Sequence, residues 1–203
     1  MFLKAKRSFG TIALMALSVL ALLFSTGGTG TRTAMAESDD EAQMTATQGQ
    51  HSTWMTVRIN GQEIDGDTTR ENRKGQIEVL MFEQSVTTAR EAGSGMATGR
   101  RQYQPLLIRK RIDKASPLLM KALTENSNAE VTFDFYRGNP TGDGTEELFY
   151  EIDLRNAQVS SAKIVMDRDT GEPMEEITFV FQTIQWTYTN GGVTHEDTWS
   201  QQR

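Results

Sequence analysis

The sequence predicts a mainly β protein: a curled antiparallel β-barrel or sandwich with one short α-helix, preceded by a signal peptide. Three observations predict it. Roughly seven or eight short segments alternate apolar with polar residues, and Gly, Asn, Asp and Pro clusters divide them. Only Ser116 to Leu123 has the chemistry of a helix. The first 36 residues carry a basic, an apolar and a small-residue part in that order.

The N-terminal segment comes first in the chain. Lys4, Lys6 and Arg7 make a basic start, and Thr11 to Phe24 is almost wholly apolar. Ala34-Met35-Ala36 then supplies an A-x-A site, so cleavage is expected after Ala36. The apolar run is short for a membrane span, which needs about 20 residues. An uncleaved anchor is the alternative, because Ser25 to Ala36 is long and contains Arg32. Residues 37–52 have no apolar period and read as a disordered spacer. Residues 53–203 form the folded body.

Within the body, Thr53 to Asn60 alternates Trp54, Val57 and Ile59 with polar partners and ends at an Asn60-Gly61 turn. A polar, turn-rich stretch follows. Ile77 to Thr88 is a second strand with apolar residues on both faces. Arg90 to Arg101 reads as a loop, since Gly93, Gly95 and Gly99 deny it regular structure. Tyr103 to Ile112 is a third strand, with Pro105 near its start. In the helix, Ser116 can cap, Pro117 fits the first turn, and Leu119, Met120 and Leu123 share one face. Ala129 to Arg137 and Glu146 to Arg155 flank the breaker-rich Gly138 to Thr145 and should pair as a hairpin. Val159 to Met166 is another strand, and Asp167 to Met174 a turn. Ile177 to Tyr188 is the last long strand; Asn190-Gly191-Gly192 breaks it, and a short polar segment closed by Trp199 follows.

Composition narrows the chemistry. The chain has 203 residues, enough for one domain with a real core, and no Cys, which removes disulfides, thiolate metal sites and Cys nucleophiles. His51 and His195 are too far apart in sequence to suggest a ligand pair. Four of the 21 basic residues and none of the 27 acidic ones lie in the first 36 positions, so the body is strongly acidic. That argues against nucleic acid as a partner, which needs clustered Lys and Arg. The Gly93-to-Gly99 loop lacks the spacing of a phosphate loop, and Asp167, Asp169 and Glu172 lack that of a calcium loop. No nucleophile-elbow or zinc-protease motif is present, and no cofactor or metal site is expected.

Two stretches carry a resemblance. Ile184-Gln185-Trp186-Thr187, the Gly-Gly turn, and an acidic pair (Glu196, Asp197) before Trp199 form one. Asp113-Lys114-Ala115-Ser116-Pro117-Leu118-Leu119, at the start of the single helix, forms the other. Together they resemble the haemolysin-coregulated protein family, the inner-tube proteins of type VI secretion, with Asp113, Lys114, Ser116, Pro117, Trp186 and Trp199 at motif positions. The resemblance runs from about Trp54 to Trp199. It implies a β-barrel fold, no enzymatic activity, and hexameric rings with a central pore. It further implies that rings stack inside a sheath beneath a spike and carry effectors. It places Gly93, Gly95 and Gly99 in an extended loop through which one ring touches the next.

The signal peptide departs from that family, whose tube assembles in the cytoplasm before secretion. Three explanations follow. The chain is an exported, tube-like relative serving as a binding or assembly module; or it begins at Met55; or its N-terminus tethers a ring to the inner membrane.

Overall fold

The computed structural model describes residues 51–199. The N-terminal segment read as a signal peptide, with Ala34 and Ala36, nearly all of the expected spacer, and the last four residues lie outside the described residues.

The strands are β1 (Ser52–Ile59), β2 (Gln62–Ile64), β3 (Ile77–Val79), β4 (Met81–Glu83), β5 (Val86–Arg90), β6 (Ala97–Tyr103) and β7 (Leu106–Arg111). The helix α1 (Ser116–Glu125) follows. Then come β8 (Ala129–Gly138), β9 (Glu146–Met166), β10 (Pro173–Val180), β11 (Thr183–Tyr188) and β12 (Val193–Thr198). Ten strands form one antiparallel sheet, along the path β2-β1-β8-β9-β10-β7-β4. β3 pairs with β1, β11 pairs with β9, and β12 pairs with β11. The path does not return on itself, so the expected barrel is corrected to an open, curled sheet.

The curl depends on β9, a single strand of 21 residues. Glu146 to Ala157 pair with β8, and Gln158 to Met166 pair with β10. Between them Asn156 takes a left-handed backbone, φ 47°. Asn tolerates that region far better than a branched residue does. A register shift between Ala129 and Val131 on β8, opposite Ala157 and Leu154, matches it across the ladder, as a bulge does where a strand bends; a second shift, between Thr178 and Phe179 on β10, lies opposite Ser161 and Val159.

The inner faces enclose one core. Met55, Val57, Phe133, Leu154, Ile177, Phe179, Leu106 and Ile108 are buried in it, and α1 adds Leu119 and Ala122. The chain reaches this by the two-residue alternation read above. Met120 departs from the reading: it is exposed, and Ala122 takes its place toward the core. Several strands are more divided than the sequence suggests. Ile77 to Thr88 becomes β3, β4 and the start of β5; Tyr103 to Ile112 is cut at Gln104-Pro105; and Phe181-Gln182 separates β10 from β11. The polar segment after Gly192 is itself a strand, β12.

Candidate assembly site

The expected loop at Arg90 to Arg101 is instead part of a β-hairpin. β5 and β6 pair with each other and with no other strand among the described residues. Every residue of β5 is exposed, and the tip residue Met96 is 69% exposed. Solvent on both faces leaves no apolar period, which is why the sequence conceals these strands. The tip closes through Glu91 N to Met96 O (2.9 Å) and Gly95 N to Glu91 O (2.8 Å). Gly95 has φ 69°, the left-handed value that favours glycine. Gly99 lies inside β6, where an added Cβ would come 3.3 Å from that of Ala89; Gly93 faces open space.

The root of this arm is tied to the last strand. Arg101 and Tyr103 are two apart on β6 and share a face. The Arg101 guanidinium donates to both carboxylate oxygens of Asp197 on β12. The Tyr103 hydroxyl donates to the same carboxylate at 2.5 Å. Burial alone would raise the Asp197 pKa. The hydrogen bonds from Tyr103 and Arg101 and the arginine charge outweigh burial and hold it below the ordinary range. Burial, then Asp197, pushes the Tyr103 phenol up to about 12. Aromatic rings back this clasp: Tyr103 lies 5.4 Å from Phe181, 6.5 Å from Trp186 and 6.0 Å from Trp199. His195 stacks on Trp186 at 5.6 Å, and His51 lies edge-on to Phe149. Beside the clasp a cavity of about 410 Å³ is lined by Tyr103, Pro105, Val180, Phe181, Trp199 and side-chain amides. The structure thus brings the motif residues Trp186 and Trp199 together, and adds Arg101 and Tyr103, which sequence reasoning did not connect to Asp197.

The second motif builds the helix entry. Asp113 Oδ1 accepts from Ala115 N (3.0 Å) and from Lys110 Nζ (2.8 Å). Lys110 is fully buried and also reaches Ser116 Oγ (2.9 Å) and Glu175 (2.9 Å). Ser116 Oγ donates to Glu175 at 2.5 Å. Ser116 therefore does not cap the helix; it starts α1 and spends its hydroxyl on this network, with Pro117 in the first turn. Lys114 is exposed, and its backbone N–H points to Asp67 (3.3 Å). Lys110, absent from the motif as read, is the lysine the motif's Asp113 and Ser116 hold.

A third feature lies on the outer face of the sheet. Asp134 opposes Glu151 across the β8–β9 ladder, and Thr132 opposes Asp153 and donates to it at 2.6 Å. Burial raises the Asp134 pKa against a 2.7 Å hydrogen bond from Gln76. Burial, then the charge of Asp153, pushes Glu151 up to about 7. These carboxylates line a groove of about 400 Å³. Glu151 and Asp153 pair with Thr187 and Gln185 of β11, whereas Asp197 and His195 pair with Ile184 and Trp186. Alternation along β11 therefore puts the clasp and the acidic groove on opposite faces of one sheet. Among the described residues no group of three or more His, Asp or Glu is arranged to hold a metal ion.

Comparison with known proteins agrees with this geometry. Residues 54–188 match the family described as "Type VI secretion system effector, Hcp". The "Major exported protein" of Pseudomonas aeruginosa is 33% identical over 141 residues, covering 66% of this chain and 81% of that protein. A variant of the Hcp1 protein from E. coli EAEC 042 superposes with TM-score 0.66 at 29% identity, over 73% of this chain and 98% of that one. The secreted protein Hcp3 of Pseudomonas aeruginosa superposes with TM-score 0.62 at 26% identity and the same coverage. The match spans the arm, the helix entry and the strand of Trp186, and the chain belongs to the Hcp family of type VI secretion, a family of structural tube proteins and not of enzymes.

Proposed function

We propose that the chain is a tube subunit whose copies join head to tail into a hexameric ring, and that rings stack into a tube carrying effectors in its lumen. The observation that carries this is the free-standing arm. A two-stranded ribbon is marginal in water unless something covers it. The arm pairs with no other strand of its own body, so another copy is the surface that would cover it. An arm and the surface that receives it are different patches of the chain, so the contact is heterologous. Such heterologous contacts close into a ring when the rotation between copies allows, and run on as a filament otherwise. By resemblance the further partners are effector, sheath and spike proteins.

A second reading is favoured by one feature, the basic, apolar and A-x-A parts of residues 1–36. In it the chain is exported to the periplasm or beyond and acts as an Hcp-like assembly module without contractile secretion. β1 bears on the choice of start. Ser52, Thr53 and Trp54 already pair with Tyr136, Phe135 and Asp134, and Trp54 is buried. A chain beginning at Met55 would lose those rungs.

Light scattering on the purified protein, with electron microscopy of the same peak, tests the assembly. A six-fold ring is expected. A monomer across a wide concentration range would overturn the tube reading and leave the exported module.

A further inference from the structure

We propose that Asp197 is the positioning residue of the arm: its carboxylate, clasped by Arg101 and Tyr103, sets the angle at which β5–β6 leaves the body and so makes the arm competent to engage a second copy. This rests on the tube reading above.

The argument begins with what the arm lacks. β5 and β6 form their own two-stranded sheet, and the chain enters and leaves it through Gln84-Ser85 and Gln104-Pro105. Among the described residues the backbone tie at that root is Gln104 N to Ser85 O, 3.0 Å, which closes the ribbon but does not attach it to the body. Both legs run on into β4 and β7, which pair in the body up to Glu83 and Leu107, so the backbone anchors the arm's base and side chains are left to set its angle. The charged and hydroxyl groups of β6 that reach the body converge on one carboxylate: Arg101 through two nitrogens and Tyr103 through its hydroxyl, both on Asp197, with a longer bond of 3.4 Å from Arg101 to the neighbouring Thr198 carbonyl. A two-toothed Arg–carboxylate pair fixes direction as well as distance. A planar phenol held against Phe181, Trp186 and Trp199 adds a second plane of restraint.

The clasp is also sheltered, with the Asp197 side chain 13% exposed and Arg101 34% exposed. Shelter distinguishes it from the open surface pair Arg58–Glu63, at 3.6 Å with both side chains about half exposed. Open pairs of that kind contribute little to holding a shape. The acceptor lies on β12, an edge strand joined to the sheet through β11 alone. The last strand of the chain therefore holds the arm.

Asp197→Asn keeps the shape of the acceptor and removes its charge. Three quantities are read on the purified full chain: assembled mass against concentration, amide exchange across Val86–Tyr103, and the thermal midpoint of the body. In Asp197→Asn, arm exchange is expected to quicken and the concentration at half-assembly to rise, each about tenfold or more. The midpoint stays near wild type, because Asp197 and Arg101 lie outside the core and the Tyr103 ring, which packs against it, is unchanged. The swap Arg101→Asp with Asp197→Arg recovers part of both losses. Tyr103→Phe, which removes one hydrogen bond and keeps the ring, gives an intermediate effect, and it carries the test if the Asn variant does not fold. Glu63→Gln serves as the control for a charge lost elsewhere.

Unchanged arm exchange and unchanged assembly in Asp197→Asn and Tyr103→Phe overturn the proposal while the wild-type ring leaves the tube reading standing. Slowed assembly without quickened arm exchange also overturns it, since the residue then acts by contact and not by positioning. A wild-type chain that never assembles removes the tube reading and the proposal with it.

Discussion

Lys110 has no exposed surface, and an ammonium out of water persists only where its charge is compensated at close range. Asp113 and Glu175 supply that compensation at 2.8 and 2.9 Å. Lys110→Ala leaves a buried carboxylate unpaired, and the expected loss is about 3–5 kcal/mol in urea unfolding. Lys114→Ala, at the motif position the sequence points to, changes stability by less than about 0.5 kcal/mol. The sequence shows a lysine beside an aspartate but not which lysine turns inward. That depends on Lys110 following Leu106 and Ile108 in the two-residue alternation of β7. Glu151 is the opposite case, an acid among acids. Its pKa in the fold, about 7, lies above the ordinary 4.5, so the folded state binds the proton more tightly than the unfolded chain. The resulting stability is complete below the ordinary glutamate range and is lost as pH rises through about 7. Going from pH 8 to pH 6 is expected to stabilise the protein by about 1 kcal/mol, less than the whole shift implies because water reaches the groove. Glu151→Gln is expected to be more stable than wild type at pH 8 and to lose that pH dependence, with denaturation at the two pH values as the check.

At the level of elements, β9 shows where pattern reading succeeds and where it stops. Ile152, Leu154 and Val159 are buried as their alternation requires, but the sequence divides the strand around Asn156, because Asn-Ala-Gln resembles a turn. The residue that breaks the pattern is the one that lets the strand continue around the corner. Asn156→Val is expected to cost about 1–2 kcal/mol, since a branched side chain resists φ 47°. Asn156→Gly costs less, because glycine enters that region freely and loses only the surface hydrogen bond to Gln182. Thermal midpoints of the two variants rank the effects. The arm was illegible for a different reason. Alternation reports burial, and a ribbon exposed on both faces has none to report. Its glycines were visible, but Gly95 shapes a tip and Gly99 sits inside a strand, so they mark a hairpin and not an absence of structure. The clasp needed tertiary information, since Arg101 and Asp197 are 96 residues apart.

For the molecule as a whole, the family was legible because its two motifs sit at structural corners: the helix entry around Asp113 and Ser116, and the aromatic wall of Trp186 and Trp199. The curl without closure was not, since strand count does not say whether the first and last strands meet. The N-terminal segment raises the last prediction. Export through that segment and assembly of a tube in the cytoplasm are alternatives for one mature protein. The intact mass of the protein recovered from the producing cell decides which applies. A mass beginning at Glu37 is expected, and it places the body outside the cytoplasm, carrying the acidic Glu37 to Glu41 run ahead of β1. A mass beginning at Met1 means an uncleaved anchor holding the body to a membrane. A mass beginning at Met55 would require β1 to pair without Ser52, Thr53 and Trp54. The guanidinium of Arg70, 5.5 Å from the centre of the Trp54 ring, would lose its partner, and the thermal midpoint of that shorter chain is expected to fall.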